Sequence, residues 1–518
     1  MESFDFIVIG SGFGGAVSAL RLAQKGYKVA VLEKGLRYRN EDFPKTNWNL
    51  RKSIWMPKLG MLGIQSLTLL RHVLVLNGVG VGGGSLVYAN QLIVPEDSIF
   101  EKPEWGGSGW KQKLAPHYQE ASQMLGAVTC PSIGNADEVL REVGKELRGE
   151  DTFHINPVGV FFGEPDKTVA DPFFYGEGPE RAGCKFCGAC MIGCPNGAKN
   201  TLDKNYLYLA EKLGVKIIAE TEVSCVKPVA NHGYQVMAVT SHGLSKKNLS
   251  FNCKNVVFSG GVLGTVKLLL DCKENGFLPN LSDKLGDFTR TNSEAILGVD
   301  SRDQSKDWND HIAITSGIYP DKNTHIEVVR YNKGSDVMYA LATVLTNGGG
   351  KIPRVLRFLG NILRHPLQFL RGLWIPGQSA RSSVILVMQS TENFLQLKRT
   401  RFGLNSKLPE DGQRIPTYIP IANEVTRKMA EKMKGFAKGS WFEVLLDAPT
   451  TAHILGGCVM GNSSSEGVVD HEGRVFGYQG LYVADGSVVP VNLNANPALT
   501  ITALAEYIMA QIPNNKSN

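Results

Sequence analysis

The sequence predicts an α/β protein in which a Rossmann-like domain, assembled from separated stretches of chain, is joined to a discontinuous α+β domain. Three observations predict it. The chain opens on a strand–glycine turn–helix–strand unit between Phe4 and Glu33. A second run of glycines follows at Gly78–Gly84. The C-terminal stretch carries a short apolar strand ending in Asp485-Gly486 and a final helix opening at Asn496-Pro497.

Each element has its own reason. Phe4–Ile9 is an apolar run of strand length, and Ala16–Gln24 is amphipathic and stopped by Gly26. Tyr27–Leu32 is a second strand ending in Glu33. Between the first strand and the helix, Gly10-Ser11-Gly12-Phe13-Gly14-Gly15 gives G-x-G-x-x-G in a βαβ frame, with an acid about 20 residues on. Gly10 allows the tight turn, Gly12 lets backbone approach a pyrophosphate, and Gly15 lets helix and strand pack closely. The helix N-terminus offers free N–H groups to phosphates, and Glu33 can accept from ribose hydroxyls. The unit predicts an adenine dinucleotide. In the second loop, Gly82-Gly83-Gly84-Ser85 lets backbone amides reach a ligand, with strand-like flanks at Val73–Leu76 and Leu86–Tyr88 and with Asn90 just beyond. Val215–Ile218 and Asn255–Ser259 read as further strands. At the end of strand Leu481–Ala484, Asp485 and Gly486 suit hydrogen bonding to a ribityl or phosphate group. Asn496, Pro497 and Ala498 open a helix whose dipole favours negative charge on a reduced ring system.

Composition excludes several classes. Of 518 residues, 43% are hydrophobic and 20% charged, which is ordinary for a globular chain and unlike a disordered one. The excess of 55 Lys and Arg over 49 Asp and Glu, +6, is too small to imply nucleic acid. Val73–Val94, a long uncharged stretch, holds five glycines and does not read as a membrane span. Met1 runs at once into strand with no basic leader, and the nine cysteines then read as reduced thiols or metal ligands, so a cytoplasmic protein is expected.

Taken together, these blocks resemble the glucose–methanol–choline (GMC) oxidoreductase family, and within it the cholesterol oxidase-like branch. The resemblance rests on Gly10–Gly15, Val81–Val87, Ser259–Gly264, Asn275–Pro279, His453–Cys458, Gly473–Val475, Asp485–Ser487 and Asn496–Glu506. It is weakest over residues 300–440, where substrate choice should lie. It implies an FAD-binding domain over 1–44, 200–299 and 455–518 and a substrate-binding domain over 45–199 and 300–454. It further implies oxidation of a hydrophobic alcohol, most naturally a 3β-hydroxysteroid such as cholesterol, with O2 or an external electron acceptor. On the matched positions His453 is the base or hydroxyl-positioning residue and Asn496 its partner, and imidazole has the pKa for that task. Glu327 falls where this branch carries a carboxylate for steroid isomerisation, although in His325-Ile326-Glu327-Val328-Val329 it also reads as an outward strand residue. Val223 is a candidate adenine contact by resemblance only. Tyr88 and Ala89 depart from the branch's Asn-Gly pair.

The loop 183–200 carries Cys184-x2-Cys187-x2-Cys190-x3-Cys194-Pro195, the spacing of bacterial 4Fe–4S ligation. An iron–sulfur cluster, a zinc site and a metal-free thiol loop are the readings it leaves open. A cluster would route electrons outward, either from alcohol oxidation or in a non-catalytic electron-transfer protein.

From Val337 to Ser390 there is no acid, while Lys351, Arg354, Arg357, Arg364, Arg371 and Arg381 are present, equal to the whole net charge. Within 351–375, Arg354, Arg357, Asn361, Arg364, Gln368 and Arg371 recur at steps of three and four among leucines, and Pro366 should divide two helices. The pattern predicts a peripheral contact with an anionic membrane surface, arginines toward the headgroups, or a helix pair over the substrate cavity.

Overall fold

The computed structural model describes residues 3–229, 233–243, 245–410 and 414–515. Its first sheet has seven strands drawn from distant parts of the chain. Lys216–Ile218, Val29–Leu32, Ser3–Ile9 and Asn248–Phe258 run parallel in that spatial order, and Leu481–Val483 joins Asn248–Phe258 in parallel. Gly233–Thr240 and Thr221–Val229 extend the sheet antiparallel. The central strands are apolar on both faces because helices cover both: Phe6, Ile7 and Val8 are fully buried. The Phe13–Gln24 helix packs against the Ala498–Ala510 helix, so the first and last helices of the chain share one core.

A second, wholly antiparallel seven-stranded sheet has the order Ala342–Val344, Gly435–Ser440, Ala295–Ser301, Ser382–Gln389, Thr324–Val329, Ser316–Asp321, His154–Ile155. Alternation divides its faces. Leu297, Val299, Ile326, Val328, Ile385 and Val387 pack under the Asn135–Arg148 and Pro420–Lys432 helices. The opposite face, with Ile296, Val329, Val384 and Leu386, turns toward a cavity.

Two sequence expectations change here. Leu86–Tyr88 is not a strand: residues Gly83–Leu86 form a tight helical turn, because Gly82 and Gly83 take positive φ and Gly83 N and Ser85 N bond back to Gly80 O and Gly82 O. Pro366 does divide two helices, Arg354–Arg364 and Pro366–Leu373, but their polar side faces the protein. Arg354 bonds Glu443 at 3.1 Å and Thr417 O at 2.7 Å, Arg357 bonds Gly348 O, and Arg371 bonds Ser301 O. The leucines face out, Leu363 at 82% and Leu367 at 78% exposure, followed by Trp374 at 67%. The expected arginine-to-headgroup face is therefore an apolar one, with Lys351 and Arg364 as its exposed cations. Among the described residues, no helix is long and apolar enough to cross a membrane.

Candidate active site

One continuous cavity of about 900 Å³ runs from the first glycine turn to the face of the second sheet. Its nucleotide end is built by backbone. Gly10 has φ of 100°, and a side chain at Gly14 would put its Cβ 1.6 Å from Ala484 O, so the turn sits directly on the C-terminal strand. Gly12 is different: a Cβ there meets nothing within 4 Å and would stand in the cavity. That open cradle before a helix N-terminus fits the pyrophosphate of FAD. Ser11 and Phe13 line it too, while Gly15 lies outside and packs against Gly10 O.

Glu33 is buried and organises the loop, accepting from Ser11 N at 3.1 Å, Ser11 Oγ at 2.8 Å and Gly35 N at 2.8 Å, and it lines the cavity. Ser11 Oγ also takes the N–H of Gly82, tying the two glycine loops together. Gly83 and Gly84 line the cavity; Gly82 and Ser85 stand behind them, Ser85 Oγ bonding Gly82 O and receiving Leu202 N. Val223 lines the nucleotide end. Asp485 lines the cavity but is occupied by Gly261 N, Thr265 Oγ1 and Ser487 N, clamping the C-terminal strand to the turn before the Gly261–Glu274 helix. Gly486, Pro497 and Ala498 complete that wall. Asn90, at a φ of 68°, is buried and lies outside the cavity lining, unlike its neighbours Ala89 and Gln91.

At the junction with the second sheet, five polar side chains from distant segments converge. His453 Nδ1 bonds Glu294 Oε1, and Glu294 Oε2 accepts from Ala452 N at 2.8 Å. The Nδ1 proton is thereby directed to Glu294, which leaves Nε2 facing Asn496 Nδ2 at 3.5 Å. Asn496 Nδ2 donates to Glu327 Oε2 at 3.2 Å, and Asn156 Nδ2 donates to Glu327 Oε1 at 2.7 Å. His453 and Asn496 line the cavity; Glu327 is fully buried just behind Asn496, not outward as strand alternation allowed. Asn496 Oδ1 is buried without a partner among the described residues, an acceptor left for a ligand. Burial works against the imidazolium of His453, but the carboxylates of Glu294 and then Glu327 raise its pKa above the ordinary histidine value. Burial pushes Glu327 up to about 7, against the opposing hydrogen bond from Asn496 and the charge of His453.

Glu294, Asn156 and Lys199 escaped the sequence reading. Lys199 is buried, its ammonium holding Leu86 O, Tyr88 O and Cys190 O, and desolvation lowers it to about 7. It knits the second glycine loop to the cysteine loop. Gly-Ala-Lys-Asn-Thr at 197–201 was the only signal for it; Glu294 and Asn156 had none.

The cysteine loop does not meet the iron–sulfur or zinc expectation. Among the described residues no group of three or more His, Cys, Asp or Glu is arranged to hold a metal ion. The space lined by Cys184, Cys187, Cys190 and Cys194 is about 10 Å³, room for one water at most and far too little for a cubane. The sulfurs are engaged singly, Cys184 by Phe186 N, Cys187 by Asn196 Nδ2 and Cys190 by Ala313 N. Cys184, Cys190 and Cys194 form a small apolar core under the loop with Cys130, Val158, Val160 and Ile312.

Residues 179–273 and 411–505 match the GMC oxidoreductase family and residues 5–41 match an FAD-binding domain. The chain belongs to the GMC oxidoreductase family and is an FAD-dependent enzyme acting on CH–OH donors. Within the family it is 44% identical over 98% of its length to a cholesterol oxidase of Acinetobacter baumannii, of which it covers 94%. It is likewise 44% identical to a cholesterol oxidase of Mycobacterium tuberculosis, over 99% of this chain and 91% of that protein. A long-chain-alcohol oxidase of Arabidopsis thaliana is 24% identical over 99% of this chain and 68% of its own length. Among solved structures, pyridoxine 4-oxidase from Mesorbium loti has the same fold, with a TM-score of 0.61 at 13% identity over 98% of both chains.

Proposed function

We propose that this chain oxidises the 3β-hydroxyl of a sterol and passes the electrons to O2. The carrying observation is that His453 and Asn496 stand where the nucleotide cradle opens into an apolar chamber lined by Met191, Ile296, Ile314, Val329 and Leu386. The 44% identity to two cholesterol oxidases supports the same substrate class and acceptor. A sterol hydroxyl enters between His453 and Asn496 and donates its proton to His453 Nε2, while the Asn496 N–H that faces that nitrogen at 3.5 Å turns to hold the substrate oxygen. The positive charge that forms on His453 is met by Glu294. Bound FAD supplies the acceptor for the hydride leaving the carbinol carbon. Glu327, raised to about 7 by burial, then moves a proton between ring carbons, giving isomerisation of the ketone.

Anaerobic mixing with a 3β-hydroxysteroid tests the reading. The flavin absorbance should bleach and return on admitting O2, and His453→Gln should slow bleaching by about 10²–10⁴-fold with flavin retained. Bleaching by a long-chain alcohol but by no sterol would sink it.

We also propose that the Arg354–Arg364 and Pro366–Leu373 helices rest on a lipid surface. The second packs on the Ala342–Val344 strand, whose Ala342 lines the cavity, and the outward leucines are an apolar face next to the chamber that takes the substrate.

A further inference from the structure

The cavity has a second polar end that sterol oxidation does not use. Across the cavity face of the second sheet, Glu327 pairs with Leu386, and two residues further along the strands Val384 pairs with Gly298, which pairs with Lys438. Three strand-to-strand steps and two residues of rise separate Glu327 from Lys438, roughly 16 Å between their backbones. That is the reach of a fused four-ring nucleus carrying a short side chain. The stretch between them is apolar, lined by Ile296, Leu386 and Val384.

Lys438 is 2% exposed. Its ammonium donates to Gln378 Oε1, and no carboxylate among the described residues pairs with it. The acid that acts on it, Asp300, receives Arg381 at 2.9 Å and Arg371 at 3.8 Å on Oδ1, while its Oδ2 is buried without a partner among the described residues. Lys438, Arg381 and Arg371 thus share the one carboxylate of Asp300; of these four Lys438 alone lines the cavity, the two arginines being partly exposed, and a buried cation without a carboxylate of its own is costly. Ser382, which lines the cavity beside this cluster, keeps a buried hydroxyl with no partner among the described residues. A cholesterol-type alkyl tail answers none of these groups.

We propose that this end of the cavity recognises a carboxylate, so that the substrate is a 3β-hydroxysteroid whose side chain ends in a carboxylic acid, paired with Lys438 and hydrogen-bonded by Ser382. The inference rests on the sterol reading above and narrows it. Burial holds the Lys438 amine down to about 8, with Asp300 opposing and Arg381 and Arg371 adding to the effect, so it is mostly charged at neutral pH.

The test uses a matched pair, a 3β-hydroxysteroid acid and its methyl ester, with kcat/KM measured on the flavin-loaded enzyme. The wild type should favour the acid by about 10- to 100-fold, the worth of a buried charge-assisted bond. Lys438→Met should erase that preference, and Ser382→Ala should reduce it several-fold. In the wild type alone, whether or not the variants fold, the acid-to-ester ratio should fall as pH rises through about 8, when Lys438 loses its proton. Turnover of both compounds with no preference, or a preference that Lys438→Met leaves intact, overturns this proposal and spares the sterol reading. Turnover of neither compound overturns both.

Discussion

Replacing Glu294 by Gln isolates what the buried carboxylate does for His453. The substitution keeps size and shape, and Glu294 is fully buried, so its effect comes from two hydrogen bonds and one charge. The carboxylate accepts from His453 Nδ1 with one oxygen and from Ala452 N with the other. An amide has one oxygen and one NH2 and cannot accept from both. If its oxygen stays on Ala452, the NH2 faces Nδ1, the imidazole proton moves to Nε2, and the atom meant to take the substrate proton becomes a donor. If its oxygen stays on His453, the Ala452 N–H is left buried and unpaired, which costs about 1–3 kcal/mol, and the imidazolium loses its counter-charge. Both arrangements lower kcat, the first by about 10⁴-fold, as when a triad carboxylate becomes an amide, the second by roughly 5- to 30-fold from a loss of 1–2 kcal/mol. The pH profile separates a positioning role from a merely structural one. Glu294 raises the His453 pKa, and the reaction needs the neutral base, so wild-type kcat/KM should rise with pH through a midpoint above the ordinary histidine value. In Glu294→Gln that midpoint should move to lower pH. The assay is anaerobic flavin reduction by sterol across pH, with flavin content checked in each preparation. An unchanged midpoint with kcat within threefold of wild type would refute the reasoning.

Other outcomes follow from the same geometry. Glu327→Gln should leave flavin reduction within tenfold of wild type but slow isomerisation by about 10²–10⁴-fold, read as accumulation of the unconjugated ketone by ultraviolet absorbance. In the wild type, isomerisation should fall on the acid side of about 7, because a protonated Glu327 cannot accept the ring proton. Gly12→Val should fold normally, since its Cβ meets nothing, yet lose flavin more than tenfold, whereas Gly14→Ala drives a Cβ into Ala484 O and should lower thermal stability as well. Binding to sterol-containing vesicles should survive 0.5 M salt and drop at least tenfold in Leu363→Glu/Leu367→Glu, given about 1.5–3 kcal/mol for burying each leucine; strong salt sensitivity would instead favour arginine contact with headgroups.

What could be read from the chain was whatever is local in it. The Gly10–Gly15 turn, the helix it opens and Glu33 lie within one βαβ unit, so spacing alone fixes their relation. His453 and Asn496 were legible by resemblance, because their flanking blocks are short and ordered. Glu294 and Asn156 were not. Each meets its partner across more than 150 residues, from positions with no periodic or motif signal, and only the pairing of the second sheet brings them together. The cysteine loop shows the reverse failure. Its spacing is that of a metal site, but spacing along a chain does not make sulfurs converge, and here glycines Gly188, Gly193 and Gly197, all at positive φ, fold the loop around a small apolar core instead.

The 351–375 segment fails in a more instructive way. Helical periodicity identifies two faces but carries no sign: it says that arginines and leucines separate, not which side meets the protein. The usual rule puts leucines in, and here it is inverted for reasons visible in the sheet beneath. The inner surface offers Glu443 and Asp300, buried carboxylates, together with carbonyls of Ser301, Gly348 and Thr417 that need donors. An unpaired buried carboxylate is far more costly than an exposed leucine, so the arginines are drawn inward and the leucines are turned out. The same choice relocates the charge. Much of the +6 that looked like a basic surface is spent inside, and two of its members, Arg371 and Arg381, share Asp300 beside Lys438. The apolar face outside and the cluster of Lys438, Arg371 and Arg381 around Asp300 inside are thus two consequences of one packing decision.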